Sequence, residues 1–275
     1  MRRAAAAVGT IAAGVLGWSL FESQWVEFRE LEVRLPRLPL ELDGLAIVHL
    51  SDFHLGTISF NGRAVERAAR WASEKPCDIV AITGDLLSRR RGEPRLEAAI
   101  ASLDPRFGVF AVIGNHDEDV TRDPFSQPTD ASVVERAGAV LLENDSDLRT
   151  VSGKRVQIVG GDQRIGVSWR RLAELADPGA DLRILLFHYP NVVGYLPPDV
   201  FDLVLAGHLH GGQICIPTPR GKLRLEHLRA RHWEGLHKTP AGMLHVSRGL
   251  GTSFVPFRFL ARPEATRLVL RSAAD

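Results

Sequence analysis

From Leu45 onward the chain alternates short apolar runs with amphipathic stretches. "LAIVHL" (45–50) has the length and content of a buried strand. "NGRAVERAARWASEK" (61–75) then sets Val65, Ala68, Ala69 and Ala72 on one helical face. "DIVAIT" (78–83) reads as the next strand, "EPRLEAAIASL" (93–103) as a helix and "FGVFAVI" (107–113) as a strand. A short helix is expected in "DASVVERAGA" (130–139), followed by strands in "AVLLE" (139–143) and "RVQIVGG" (155–161). "SWRRLAELA" (168–176) reads as a helix, and "RILLF" (183–187), "DLVLA" (202–206), "MLHVS" (243–247) and "TRLVL" (266–270) as strands. Strands alternating with helices predict an α/β layered domain. Neither an internal repeat nor a low-complexity tract interrupts it.

The chain before Leu45 follows another pattern. "AAAAVGTIAAGVLGWSLF" (4–21) carries no charge and has the minimum length for a bilayer span. Trp18, Phe21, Trp25 and Phe28 would then lie at the membrane interface. A cleaved export signal is the rival reading, but no clear small-x-small site precedes Glu22; Arg2 and Arg3 are also the pair found in twin-arginine signals. Residues 1–22 are therefore expected to form a single-pass anchor at the cell membrane, 23–44 a connector entering an extended segment, and 45–275 the domain. Pro36 and Pro39 exclude a helix from the connector. Positive charge lies on both sides of the span, at Arg2 and Arg3 and at Arg29, Arg34 and Arg37, so the side occupied by the domain stays open.

Composition adds limits. The 275 residues are 45% hydrophobic and 24% charged with a net charge of +1, an ordinary globular balance that offers nothing toward nucleic acid. Cys77 and Cys215 form no motif.

The chemistry lies where the strands stop. "LAIVHL" runs into "SDFHLG" with Asp52 and His54, "DIVAIT" into "GDLL" with Asp85, and "FGVFAVI" into "GNHDED" with Asn115, His116 and Asp117. "RILLF" is followed by His188, and "DLVLA" by "GHLHGGQ" with His208 and His210. Strands sharing a direction would bring these clusters to one edge, where ligand sites of open α/β sheets lie. One such aspartate can be a helix cap; five polar clusters at successive strand ends need another explanation. Carboxylates, imidazoles and one amide, without a thiolate, suit Mn, Fe or Zn rather than a structural zinc finger. The set exceeds what one ion needs, so two divalent ions sharing a carboxylate are expected, an arrangement suited to displacement at phosphorus.

The blocks D-x-H (52–54), GD (84–85), GNHD (114–117), His188 and GHLH (207–210) resemble, in order, those of the calcineurin-like metallophosphoesterases. The ending "GHLHGGQICIP…VSRGLGTSFVPFRF…PE" is similar to the membrane-anchored branch, with its bacterial phosphodiesterases and enzymes like UDP-2,3-diacylglucosamine pyrophosphatase of the lipid A-type pathway. The resemblance implies two mixed β-sheets flanked by helices, with the metal site at C-terminal strand ends. It implies Asp52, His54 and His210 on one metal, Asn115, His188 and His208 on the other, and Asp85 bridging. It makes His116 the general acid beside the leaving group and a metal-activated water the nucleophile. A phosphoester or nucleotide-lipid substrate follows, with a general envelope phosphodiesterase as the alternative; a non-catalytic adaptor or a protein phosphatase fits less well. Asp117 could orient His116 or be a solvated turn residue. Arg89, with Arg90, Arg91 and Arg95, and Arg248 are candidates to meet substrate. His49, His227, His232, His237 and His245 match no ligand block and are read as structural.

Overall fold

The computed structural model describes residues 2–118, 123–162, 169–219, 221–225 and 230–273; His227 lies outside them. In chain order the helices are α1 (Arg2–Glu22), α2 (Asn61–Ser73), α3 (Glu93–Ala101) and α4 (Val133–Arg136). The strands are β1 (Glu27–Leu35), β2 (Ala46–Leu50), β3 (Ile79–Thr83), β4 (Val109–Val112), β5 (Val140–Leu141), β6 (Asp145–Val151) and β7 (Lys154–Gly160). They continue as β8 (Leu182–Leu186), β9 (Leu203–Ala206), β10 (Cys215–Thr218), β11 (Gly221–Arg224), β12 (Gly235–Thr239), β13 (Gly242–Val246) and β14 (Glu264–Ser272).

β2, β3, β4 and β9 are buried at every position because both faces of their sheets are covered, which is why they read as unbroken apolar runs. One mixed sheet has the order β1-β14-β2-β3-β4-β5, the other β12-β13-β9-β8-β7-β6. Their inner faces meet in one core, with Ile47, Ile79, Ala81 and Phe110 from the first sheet and Ile158, Ile184, Leu186 and Leu205 from the second. Outside the first sheet, Ala64, Val65, Ala68 and Ala72 of α2 and Leu96 and Ile100 of α3 pack on Val48, Leu50, Val80 and Ile82. Small residues along α2 let it lie close to the strands. Short 3₁₀ segments, Trp169–Leu175 and Pro190–Gly194, close the outside of the second sheet; the first stands where a helix was expected.

The layered architecture with two mixed sheets is as expected. The missed strands lie at the margins: β6 mixes exposed and half-buried residues at one sheet edge, β12 is mostly half-buried at the other, and β10 and β11 pair as a separate, largely uncovered ribbon. β6 and β7 join through Ser152 and Gly153, both at positive φ (49° and 79°), a two-residue hairpin turn.

The N-terminal region departs more. The stretch read as a connector supplies β1, which pairs with β14 in parallel over nine positions from Glu27↔Glu264 to Leu35↔Ser272 and buries Val33 and Leu35. Among the described residues no helix is long and apolar enough to cross a membrane, so the expected spanning anchor is not supported. The last turn of α1 is committed to protein instead. Ser19, Glu22 and Ser23 are buried, the Arg258 amide donates to Ser19 O (3.2 Å), and the Ala261 amide donates to Glu22 Oε1 (2.7 Å).

Candidate metal centre

The parallel direction of β2, β3 and β4, and of β8 and β9, carries their C-terminal ends to one edge, as the polar clusters require. The backbone then turns abruptly. Asp52 (φ 52°), His54 (46°), Asp85 (52°), His208 (74°) and His210 (48°) all lie in the left-handed region, uncommon for residues with a Cβ. Such backbone is costly and persists where surrounding structure enforces it. Glycines make the turns possible by absence of bulk: a Cβ on Gly207 would collide with Ser51 and Asp52, and one on Gly249 would lie 2.5 Å from Asp52 Cβ.

Three triads place one ligand atom each within 4.8 Å of the others: Asp52, His54 and His210; His54, Asp85 and His116; Asp85, His188 and His208. Asp85 Oδ2 stands 3.5 Å from His54 Nε2 and 3.2 Å from His188 Nε2, while its Oδ1 accepts the His116 amide at 2.8 Å. On one side His54 Nε2 faces His210 Nε2 at 3.1 Å and Asp52 Oδ1 lies 3.6 Å from His210 Nε2. On the other, His188 Nε2 faces His208 Nδ1 at 3.1 Å. Converging nitrogen lone pairs beside carboxylate oxygens are a donor set that fits divalent cations. Asn115 joins this side, its Oδ1 accepting from Tyr189 O–H at 3.2 Å.

Outer contacts hold these rings. His188 Nδ1 bonds Thr83 O at 2.8 Å, and His54 Nδ1 lies 3.2 Å from Ser88 Oγ, the kind of support that orients ligating imidazoles. Fully buried Arg258 donates to His210 Nδ1 (3.1 Å) and also to the carbonyls of Arg248 and Ala261. Arg258 thus ties the GHLH turn to the late loops, a role its isolated place in the sequence did not signal.

Electrostatics follow from burial. Burial pushes Asp52 up to about 6, with the charge of Asp85 adding to it and His188 opposing. Burial would also raise Asp85, but the histidines around it, His188 and His116 foremost, hold it well below the usual carboxylate range. His188 reaches about 9 because Asp85 outweighs the burial of the ring. Burial and neighbouring cationic groups keep His54 and His210 well below the ordinary histidine value, so both are neutral as ligation demands.

All seven expected ligands and His116 meet at this edge; the secondary candidates divide. Asp117 neither orients His116 nor faces solvent. It is buried and accepts from the amides of Leu86, Leu87 and Gly114 at 2.8–3.2 Å, clamping the Asp85 loop to the GNHD loop. Burial and the Asp85 charge push Asp117 up to about 7. His116 is held instead by Ser126 Oγ (2.7 Å from Nδ1) and Asp123 Oδ2 (3.8 Å). Arg248 does not serve the site: it is buried against Glu264 (2.8 Å), Glu27 (3.0 Å) and Glu234 (3.5 Å). Arg89 lies near the site, its Nε donating to Phe125 O. Arg95 pairs loosely with Glu66 on the surface. His49 and His245 are core residues as expected, their Nδ1 atoms 2.8 Å apart between the sheets.

The calcineurin-like phosphoesterase profile matches residues 45–212, which hold every one of these ligands. The chain belongs to that family. It is 33% identical to an uncharacterized metallophosphoesterase of Bacillus subtilis, YkoQ, over 81% of this chain and 82% of that protein. A second B. subtilis metallophosphoesterase, YkuE, is 28% identical over 96% and 94% of the two chains. The UDP-2,3-diacylglucosamine pyrophosphatase LpxG of Chlamydia muridarum is 27% identical over 92% and 93%. As a member of this metallophosphoesterase family, the protein is a phosphoester hydrolase whose clustered histidines and aspartates suit metal.

Proposed function

We propose that this protein uses two divalent ions (Mn, Fe or Zn) to hydrolyse a phosphodiester or pyrophosphate bond of a lipid-linked substrate at a membrane surface, UDP-2,3-diacylglucosamine being one compound of that class. The observation that carries the two-ion reading is Asp85 Oδ2 between His54 and His188, with one histidine pair on each side. Asp52, His54 and His210 would hold one ion, Asn115, His188 and His208 the other, and Asp85 both. When bound, the ions supply positive charge against the developing phosphoryl charge and lower the pKa of the attacking water. His116 would give its proton to the departing oxygen, its ring held by Ser126 and Asp123.

The lipid part rests on the LpxG likeness and on α1, whose Ile11, Val15, Leu16, Trp18 and Phe21 are 45–66% exposed. An apolar helical face beside exposed Trp25 and Phe28 suits attachment to a bilayer interface. A cleft of about 1090 Å³ beside His208, with Trp169, Tyr189, Tyr195, Arg231 and Lys238 among its walls, leaves room for a bulky group on the substrate. A general envelope phosphodiesterase is the second reading, favoured by the likeness to YkoQ and YkuE, whose names specify no substrate. The test is metal content and turnover of bis(p-nitrophenyl) phosphate in Asp85→Asn. Loss of both ions together supports the bridge; two ions retained at full occupancy sink it.

A further inference from the structure

We infer that the groove beside His116 receives the hydrocarbon chain of the substrate, and that this chain is attached to the oxygen that leaves phosphorus; the inference rests on the hydrolase reading above. The groove encloses about 190 Å³, and Ile58, Phe125, Phe254 and Pro256 are among its walls. Ile58 is 87%, Phe125 51% and Phe254 46% exposed, a concentration of uncovered large side chains that marks a binding surface. Arg89 and Arg91 stand on the same groove, and among the described residues neither is paired with a carboxylate. An apolar trough beside two cations is complementary to one chemistry, an alkyl chain bearing an anionic phosphate. A peptide or a nucleoside would find few hydrogen-bonding partners on its apolar walls.

The groove adjoins the candidate acid. The Phe254 ring lies 6.4 Å from the His116 ring, centroid to centroid. Asp123, which lines the groove, sits 3.8 Å from His116 Nδ1 and accepts the amides of Phe125 (2.9 Å) and Phe254 (3.1 Å). One carboxylate thus fixes the groove wall and the imidazole together. The larger cleft, with Trp169, Tyr195, Arg231 and Lys238 among its walls, lies on the other side, against His208. A chain seated in the groove leads to the His116 end of the centre, where the departing oxygen is protonated. In the step, water oxygen bonds to phosphorus, the phosphorus–oxygen bond to the chain-bearing alcohol breaks, and that alcohol oxygen takes the proton from His116. One proton of the water stays on the new phosphate oxygen; the other passes to solvent, from which His116 regains the proton it gave.

The experiment uses dodecyl methyl phosphate, whose two ester arms have alkoxide leaving groups of similar basicity, with the metal-loaded full chain. The expected products are dodecanol and methyl phosphate in large excess over methanol and dodecyl phosphate. Ile58→Asp combined with Phe125→Ser should erase most of that bias, a ratio that does not depend on how much enzyme is active. In parallel, calorimetry with butyl, octyl and dodecyl phosphate should show binding tightening roughly twofold to fourfold per methylene until the groove is full. Equal or reversed product partition, with bis(p-nitrophenyl) phosphate still hydrolysed, overturns the inference and leaves the hydrolase reading standing. Should no diester be hydrolysed, the diesterase reading fails and the leaving-group assignment with it; the seating of the chain then stands or falls on whether alkyl phosphate affinity rises with chain length.

Discussion

Gly114→Ala tests whether the centre depends on the fit between two loops rather than on the ligands alone. A Cβ at Gly114 would lie 2.5 Å from the Asp85 amide nitrogen and closer still to its carboxylate. Gly114 does not occupy the left-handed region, so alanine adds bulk without backbone strain. The neighbour that must yield is a backbone held by Asp117 through the Leu86 and Leu87 amides, which cannot swing aside like a surface lysine. Overpacking of this kind costs about 1–3 kcal/mol. A displacement approaching 1 Å would carry Asp85 Oδ2 away from its position between His54 and His188, and misplacement of that size lowers turnover on the order of 10²-fold. Metal titration by calorimetry should show both sites weakened, about 10-fold or more, with turnover falling further. Gly17→Ala, where nothing lies within 4 Å of the added methyl, is the control for handling and stability. Unchanged affinity at both sites and unchanged turnover in Gly114→Ala would refute the argument that packing against GNHD sets the position of Asp85.

Further expectations can be checked alongside. His116→Ala should lose roughly 10²–10⁴-fold in turnover while keeping its metal, with the loss shrinking for p-nitrophenyl esters; lost metal would make His116 a ligand, as its triad with His54 and Asp85 allows. Deleting residues 1–40 should leave an insoluble or unfolded chain, because β1 and buried Val33, Leu35 and Leu38 go with it; a folded, active product would show β1 to be dispensable. His245 is buried neutral, its pKa pushed down to about 4, so the unfolded chain takes up the proton first as pH falls. Stability should be intact above about pH 6.5 and decline by about 3 kcal/mol toward pH 4, and His245→Gln should flatten that part of a urea-unfolding series.

The ligands were legible because each stands where an apolar run is cut by a polar turn, a pattern carried entirely by neighbours in the chain. Their supports were not. Asp123 and Ser126 turn back onto His116 from seven and ten positions further along the β4–α4 connection, Tyr189 meets Asn115 across 74 positions, and Arg258 reaches His210 across 48. No local period marks such pairs. Arg248 was misread for a related reason: its three carboxylate partners come from β1, β14 and the segment before β12, so its isolation along the chain concealed a neutralised cation. β1 read as a connector because five of its nine residues are charged and it lies at an edge, where only one face is covered.

The placement of β14 between β1 and β2 has a consequence for how the molecule is made. Glu30 and Arg267, 237 positions apart, sit on neighbouring strands, so β1 has no partner until β14 is delivered. At ordinary translation speeds that wait lasts on the order of ten to fifty seconds. Throughout it β1 is an unpaired, half-apolar ribbon next to a sticky α1, the sort of edge that recruits the wrong neighbour. A nascent chain arrested just short of Glu264 would hold every ligand residue and the β2-β3-β4 and β8-β9 pairings that carry them, yet leave β1 and the outer edge of β2 uncovered, so chaperone capture should peak at that length and vanish once β14 is released.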